Sequence, residues 1–425
     1  LLLASTASAA SPPAYDILIR NAQIYDGSGG APFKVELAIK EERIAYVGPK
    51  APESAARTID AGGKAVSPGF INMLSWATDS LIADPRGLSD LKQGVTLEVM
   101  GEGTSMGPLT PQMKQLETQR MGDIKYEIAW TTLDEYLSWL AKRGVAVNVA
   151  SFIGAATVRE NVLGEGDVDP DPQQLAQMRK LVADAMEDGA LGVGSSLIYA
   201  PGNYAETPEL IALATEAGRC GGMYISHMRS EADRLLEAID ELIEISKASG
   251  APAEIYHLKQ AGKANWDKLD PAIARIEAAR AAGHRITADM YTYTAGSTGL
   301  DAAMPPWVQA GGVETWISRM KEPATRAKVI AEMRQEKPAF ENLYRHAGAE
   351  GTLLVGFKNP ALKHLTGKTL AEVAKARGVS PEDAAIDLVI EDGSRVQVVY
   401  FLMSEENVAK QTALPWMSFG SDASA

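Results

Sequence analysis

Two histidines of this 425-residue chain share one setting. His227 ends the apolar run GGMYISH and His257 ends APAEIYH. Each run turns polar at once, into Met228-Arg229-Ser230-Glu231 and Leu258-Lys259-Gln260. A lone imidazole at such a place is more often a hydrogen-bonded loop residue than a ligand. Two of them on successive parallel strands become neighbours at one sheet end, within reach of one ion, and the pairing favours a metal. Glu102 stands at the end of another strand, GVTLEVMGEG, freed by the glycines on either side. Two histidines and one glutamate form a catalytic zinc set that leaves a fourth position for water. Asp422 follows the last strand, PWMSFG, and would face the same mouth, where a carboxylate can accept a proton from metal-bound water. The plainer reading of Asp422 is a helix cap. His284 starts a strand at the opposite end, while His346 and His364 fall in helical or loop segments; these three read as structural.

The elements that must position these groups are legible in the hydropathy pattern. From Ala65 onward there are eight apolar stretches: AVSPGFINM, GVTLEVMGEG, VAVNVASFIG, ALGVGSS, GGMYISH, APAEIYH, RITADMY and PWMSFGSD. Between several of them lie helical patterns. QQLAQMRKLVADAMEDG stops at Gly189, TPELIALATEAG opens on Thr207 and Pro208, and SEADRLLEAIDELIEISKASG runs from Ser230 to Gly250. Apolar strands alternating with helices imply a parallel sheet covered on both faces. Eight of them make a (β/α)8 barrel the first choice and an open doubly wound sheet the second. Residues 15–66 read differently, as short alternating strands with breaks at Asp26-Gly27 and Glu41-Glu42-Arg43. The predicted organisation is a tail at 1–14, a small β module at 15–66 and the barrel at 67–425.

Composition removes several classes of function. With 55 acidic and 41 basic side chains the net charge is -14, which provides no basic face for nucleic acid or an anionic membrane surface. One cysteine, Cys220, forms neither an internal disulfide nor a zinc ribbon. No apolar run of about 18 residues suggests a membrane span. LLLASTASAA, ending in Ala7-Ser8-Ala9, reads as the tail of a secretory signal and predicts export, to the periplasm or beyond. Three decoys fail on a key residue. Gly367-Lys368-Thr369 has Leu362 where a phosphate loop needs glycine, Asp167/Asp169/Asp171 has Pro172 at the glycine of a calcium loop, and Gly101-Glu102-Gly103 has Met106 in place of a third glycine.

The motifs YDILIRNAQIYDGSG, VSPGFIN, GVTLEVMGEG, SSLIYAPGNYA, YISHMRSE, IYHLKQAG, DMYTYTAGSTGL, PPWVQAGG and SFGSDA run from Tyr15 to the end. In them the chain resembles the amidohydrolase superfamily, and within it the D-aminoacylase (N-acyl-D-amino-acid deacylase) branch. The resemblance implies a (β/α)8 barrel with a small β-sandwich built from both chain ends. It also implies hydrolysis of an N-acyl amino acid, a small-molecule substrate, by metal-activated water. The branch's metal histidines fall on His227 and His257, and its general-base aspartate on Asp422. Where the family has His-x-His on the first strand, this chain has Leu74 and Trp76, so one zinc per chain is expected rather than two. The family's cysteine ligand falls on Gly103, next to Glu102, and its third-strand histidine on Ala155. Stopping at Ala425, the chain reads as a fragment without the last helix and the second half of the β module. For the substrate carboxylate the expected anchors are Arg229 and Lys259 at the mouth, with phenolic hydrogen bonds from Tyr199 and Tyr291. Two other functions fit the same barrel: hydrolysis of another amide, such as a cyclic imide or dipeptide, and non-catalytic binding outside the cell.

Overall fold

The computed structural model describes residues 13–425, so the run read as a signal tail lies outside the described residues. It divides into two compact units, one ending at Phe70 and one running from Ile71 to Ala425. The first is a five-stranded sheet of β1 (Tyr15–Ile24), β2 (Phe33–Lys40), β3 (Arg43–Gly48), β4 (Ala55–Asp60) and β5 (Ala65–Val66). The order is β3-β2-β1-β4, with β5 also on β1. Leu18, Ala22 and Ile24 of β1 are buried. The β2–β3 hairpin turns where Glu41 takes a left-handed φ of 53°, the bend predicted from Glu41-Glu42-Arg43.

The second unit is built on eight parallel strand positions. They are β6 (Phe70–Asn72), β7 (Val95–Met100), the broken strand β8 (Asn148–Ser151) plus β9 (Ile153–Gly154), β10 (Gly192–Ser196), β11 (Met223–His227), β12 (Ala253–Ile255) and β13 (Ile286–Met290). An antiparallel sheet of β14 (Ala295–Gly299), β15 (Thr352–Gly356) and β16 (Gln397–Phe401) intervenes before the last barrel strand, β17 (Met417–Phe419). β17 pairs with β13 in parallel. It also closes back onto the first strand: Met73 N donates to Phe419 O at 3.1 Å, and the amides of Ser421 and Asp422 donate to Leu74 O at 3.2 and 2.9 Å. The ring is therefore complete, and the barrel is the fold. The open doubly wound alternative is excluded by that closure.

Helices such as Pro172–Glu187, Thr207–Arg219, Leu235–Ser249 and Leu269–Ala281 alternate with the strands. Asp171, one of the three acids of the calcium decoy, is the N-cap of the first and forms a capping box with Gln174. The helix expected from Ser230 starts only at Leu235. Ser230 Oγ instead accepts the amides of Ala232 and Arg234 and donates to Glu341 Oε2 at 2.8 Å, tying the intervening loop to the segment between β13 and β17. The segment between β13 and β17 carries its own core, including Met304, Trp316, Met333, Leu354, Leu388 and Tyr400. Hydropathy periodicity alone leaves this insertion undivided within the barrel.

Candidate metal centre and active site

Glu102 is placed by its neighbours. Gly101 and Gly103 have φ of 106° and 70°, and a Cβ on Gly101 would lie 2.3 Å from the Phe152 carbonyl oxygen, while one on Gly103 would lie 2.5 Å from the Ser196 side chain. Only glycines allow the chain to turn there. The turn brings Glu102 Oε1 to 2.9 Å from His227 Nδ1 and 3.0 Å from His257 Nε2. The two imidazoles are nearly perpendicular, with ring centres 4.5 Å apart. One ligand atom from each of the three residues lies within 4.8 Å of the others, and all three residues are buried. His227 Nε2 is buried without a hydrogen-bond partner, 3.7 Å from Glu231 Oε2. Two imidazoles and a carboxylate converging at one point, with an unpartnered ring nitrogen among them, fit a divalent metal of the zinc type.

Around the triad lies a ring of charge. Glu231, in the loop tied down by Ser230, contacts Lys259 Nζ at 2.5 Å and His257 Nδ1 at 2.9 Å. Trp76 Nε1 donates to Glu102 Oε2 at 2.9 Å and to Asp422 Oδ1 at 3.1 Å. Burial, reinforced by the negative charge of Glu102, raises the Asp422 carboxyl to about 7. Burial would also raise Glu102, but the hydrogen bonds from His227 and His257 hold it well below the usual carboxylate range. Burial lowers the His227 imidazole. Two of these residues leave their strands in left-handed backbone, His257 at φ 36° and Asp422 at φ 50°.

A cavity of about 570 Å³ opens over the centre, and Glu102, His227, His257 and Asp422 are in its wall. Tyr199 and Tyr291 line it as well; their rings stand 5.1 Å from His227 and 6.1 Å from His257. Burial raises both phenols well above 10, so they are hydroxyl donors. Lys259 also lines the cavity, but as a buried cation shared by Glu231 and His257 rather than a rim side chain. Arg229 is not in the wall: its guanidinium is engaged by Glu241 at 2.9 Å and by the carbonyls of Asn203 and Ala205. The expectation that it anchors substrate is corrected by those partners, which hold it in the loop structure. Arg395, 47% exposed, does line the cavity, as do Arg120 and Lys358; it is bound through Nε to Asp301 and lies over the Tyr199 ring at 4.9 Å. Nothing in the local sequence marks Arg395, because it belongs to the insertion and follows no barrel strand. Glu231 could have been read from YISHMRSE, four residues after His227, had the helix not been started at Ser230.

No protein-family model matches the chain. Among curated proteins it is 32% identical over 286 residues to an N-acyl-D-glutamate deacylase of Alcaligenes xylosoxydans xylosoxydans, covering 67% of this chain and 58% of that protein. The chain thus spans little more than half the length of that relative. An N-acyl-D-glutamate deacylase from Bordetella bronchiseptica, solved with zinc and a phosphonate mimic of the tetrahedral intermediate, superposes with a TM-score of 0.77. The two are 25% identical over 96% of this chain and 76% of that one. A D-aminoacylase with a binuclear metal centre, activated by one metal and attenuated by the second, also gives 0.77, at 27% identity and the same coverages. By sequence and by fold, the chain groups with the D-aminoacylase-like amidohydrolases.

The departures from the amidohydrolase pattern now have locations. Leu74, in the first position of His-x-His, is buried against Val99, Phe152, Ile225 and Tyr256, one residue from each of four other barrel strands or their ends. Trp76, in the second, presents its indole N–H to Glu102 and Asp422. Ala155 is the first residue of the helix Ala155–Leu163 and is buried. Glu102, His227 and His257 are the group that could hold a metal ion. Among the described residues no other group of three metal-ligating side chains meets.

Proposed function

We propose that this chain hydrolyses the amide of N-acyl-D-amino acids, using one zinc ion held by Glu102, His227 and His257. The observation that carries the reading is the convergence of those three buried ligands beside Asp422 in the wall of one cavity. A divalent ion bound there supplies Lewis acidity toward the amide carbonyl and activates water for attack. The chain's own residues do the rest. Asp422 takes the proton of the attacking water and returns it to the amide nitrogen as the C–N bond breaks, the part a positioned carboxylate plays in general acid–base catalysis. Arg395 holds the substrate carboxylate, and Tyr199 and Tyr291 donate to its polar groups. The names of the relatives support an acylated D-amino acid as substrate.

Elemental analysis combined with rates on N-acyl-D- and N-acyl-L-amino acids tests the reading. One equivalent of zinc and turnover restricted to the D series are expected. A chain that binds no metal, or that cleaves only cyclic imides, contradicts it.

A further inference from the structure

Glu102, buried, and Asp422, half-buried at the cavity wall, are two carboxylates of one site, and a single donor joins them. Trp76 Nε1 reaches Glu102 Oε2 at 2.9 Å and Asp422 Oδ1 at 3.1 Å. Glu102 is thereby oriented with Oε1, its other oxygen, toward both imidazoles. Among the described residues no other side chain donates to the Asp422 carboxylate, which would otherwise be fixed only by its backbone. The backbone clasps the same turn: Trp76 N donates to Ala423 O at 3.0 Å, and Asp422 N donates to Leu74 O at 2.9 Å. Two carboxylates sharing one donor in a half-buried site repel, and a positive or N–H group between them offsets part of that repulsion. In a binuclear centre that something is an ion. Here it is an N–H dipole on a neutral ring that cannot lose its proton.

We propose that the Trp76 indole stands in for a second cation: it couples the ligand Glu102 to Asp422, fixes both carboxylates, and commits the centre to a single ion. The inference rests on the proposed function above, and it makes Trp76 a positioning residue. Outer partners of metal ligands typically contribute about 10- to 100-fold to affinity or activity. Trp76→Phe keeps the ring and removes the donor.

The test is a zinc or cobalt titration against a competing chelator, with kinetics run beside it on the wild type and on Trp76→Phe, each with Asp422 and with Asp422→Asn. The wild type should saturate at one ion. Trp76→Phe should bind that ion about 10-fold or more weakly and lose about 10-fold in kcat with KM little changed, and the kcat loss should vanish in the Asp422→Asn background. Trp76→Gln retains an N–H donor, is expected to fall between the two, and preserves the comparison if the Phe variant folds poorly. A wild type that binds no ion overturns the proposed function and this inference together. A wild type that binds two ions overturns the inference alone. So does a Phe variant with wild-type affinity and the same kcat loss in both backgrounds.

Discussion

Nζ of Lys259 and Oε1 of Glu231 both meet Nδ1 of His257, at 2.7 and 2.9 Å, so the ring nitrogen that does not meet Glu102 lies between a cation and a carboxylate. The same ammonium is 2.5 Å from Glu231 Oε1, and all three side chains are buried. Removing one partner of such a pair leaves an uncompensated buried charge, at a cost of about 3–5 kcal/mol. Glu231→Leu should therefore destabilise the chain by about that much in urea unfolding. The double variant Glu231→Leu/Lys259→Met should be less destabilised than the sum of the two single variants. Strict additivity would show that the two groups do not compensate each other.

Glu102 is the one carboxylate of the proposed ligand set, so its replacement is informative. Glu102→Gln keeps the shape and loses the charge; metal retention should fall about 10-fold or more. Chelator competition measures it, and unchanged affinity would return Glu102 to a turn residue between two glycines.

Asp422→Asn should keep the fold and the metal and lose about 10²- to 10⁴-fold in kcat, the range for a positioned acid–base group, with a smaller change in KM. A variant that turns over at near the wild-type rate would move the proton transfer elsewhere.

Arg395→Gln tests the carboxylate anchor. A charged hydrogen bond to substrate is worth about 1.5–3 kcal/mol, so KM should rise roughly tenfold or more while kcat changes less. An effect confined to kcat would place Arg395 in the chemistry instead of binding.

Glu160, on the helix Ala155–Leu163, predicts a pH effect on stability. Burial, with the charges of Glu165 and Glu117 behind it, raises its carboxyl to about 8 from an ordinary 4.5. The folded chain keeps that proton where the unfolded chain has lost it. Its contribution to stability is therefore full below the lower value and is lost as pH rises through the upper one. Glu160→Gln removes the titration, so the variant should lose less in Tm than the wild type between about pH 5 and about pH 8.5. Parallel melting curves for the two proteins would expose the error.

Strand ends were the most legible part of the chain. All eight barrel positions match the apolar stretches, because a parallel strand buried on both faces is a continuous apolar run. His227, His257 and Glu102 follow from that placement, since a side chain at a C-terminal strand end has one mouth to face. Arg229 was misplaced because periodicity says nothing about which of two nearby partners, Glu241 or a substrate, a long flexible cation will take. Arg395 escaped because the sheet β14–β16–β15 joins segments far apart in the chain, and only tertiary pairing brings it to the cavity. Trp76 was visible as a lost ligand but not as a donor; that needed Asp422, 346 residues away, to be seen beside it.

That separation sets an order of events during synthesis. The barrel ring closes where Leu74 meets Ser421 and Asp422, so its first strand waits at an open seam while the other seven are made. Glu102, His227 and His257 have all left the ribosome well before Asp422, on the order of ten seconds or more at ordinary elongation rates. Under the proposed function, a nascent chain thus assembles its three proposed metal ligands before it gains the proposed proton carrier, and until β17 pairs the half-built centre is a binding site without a reaction.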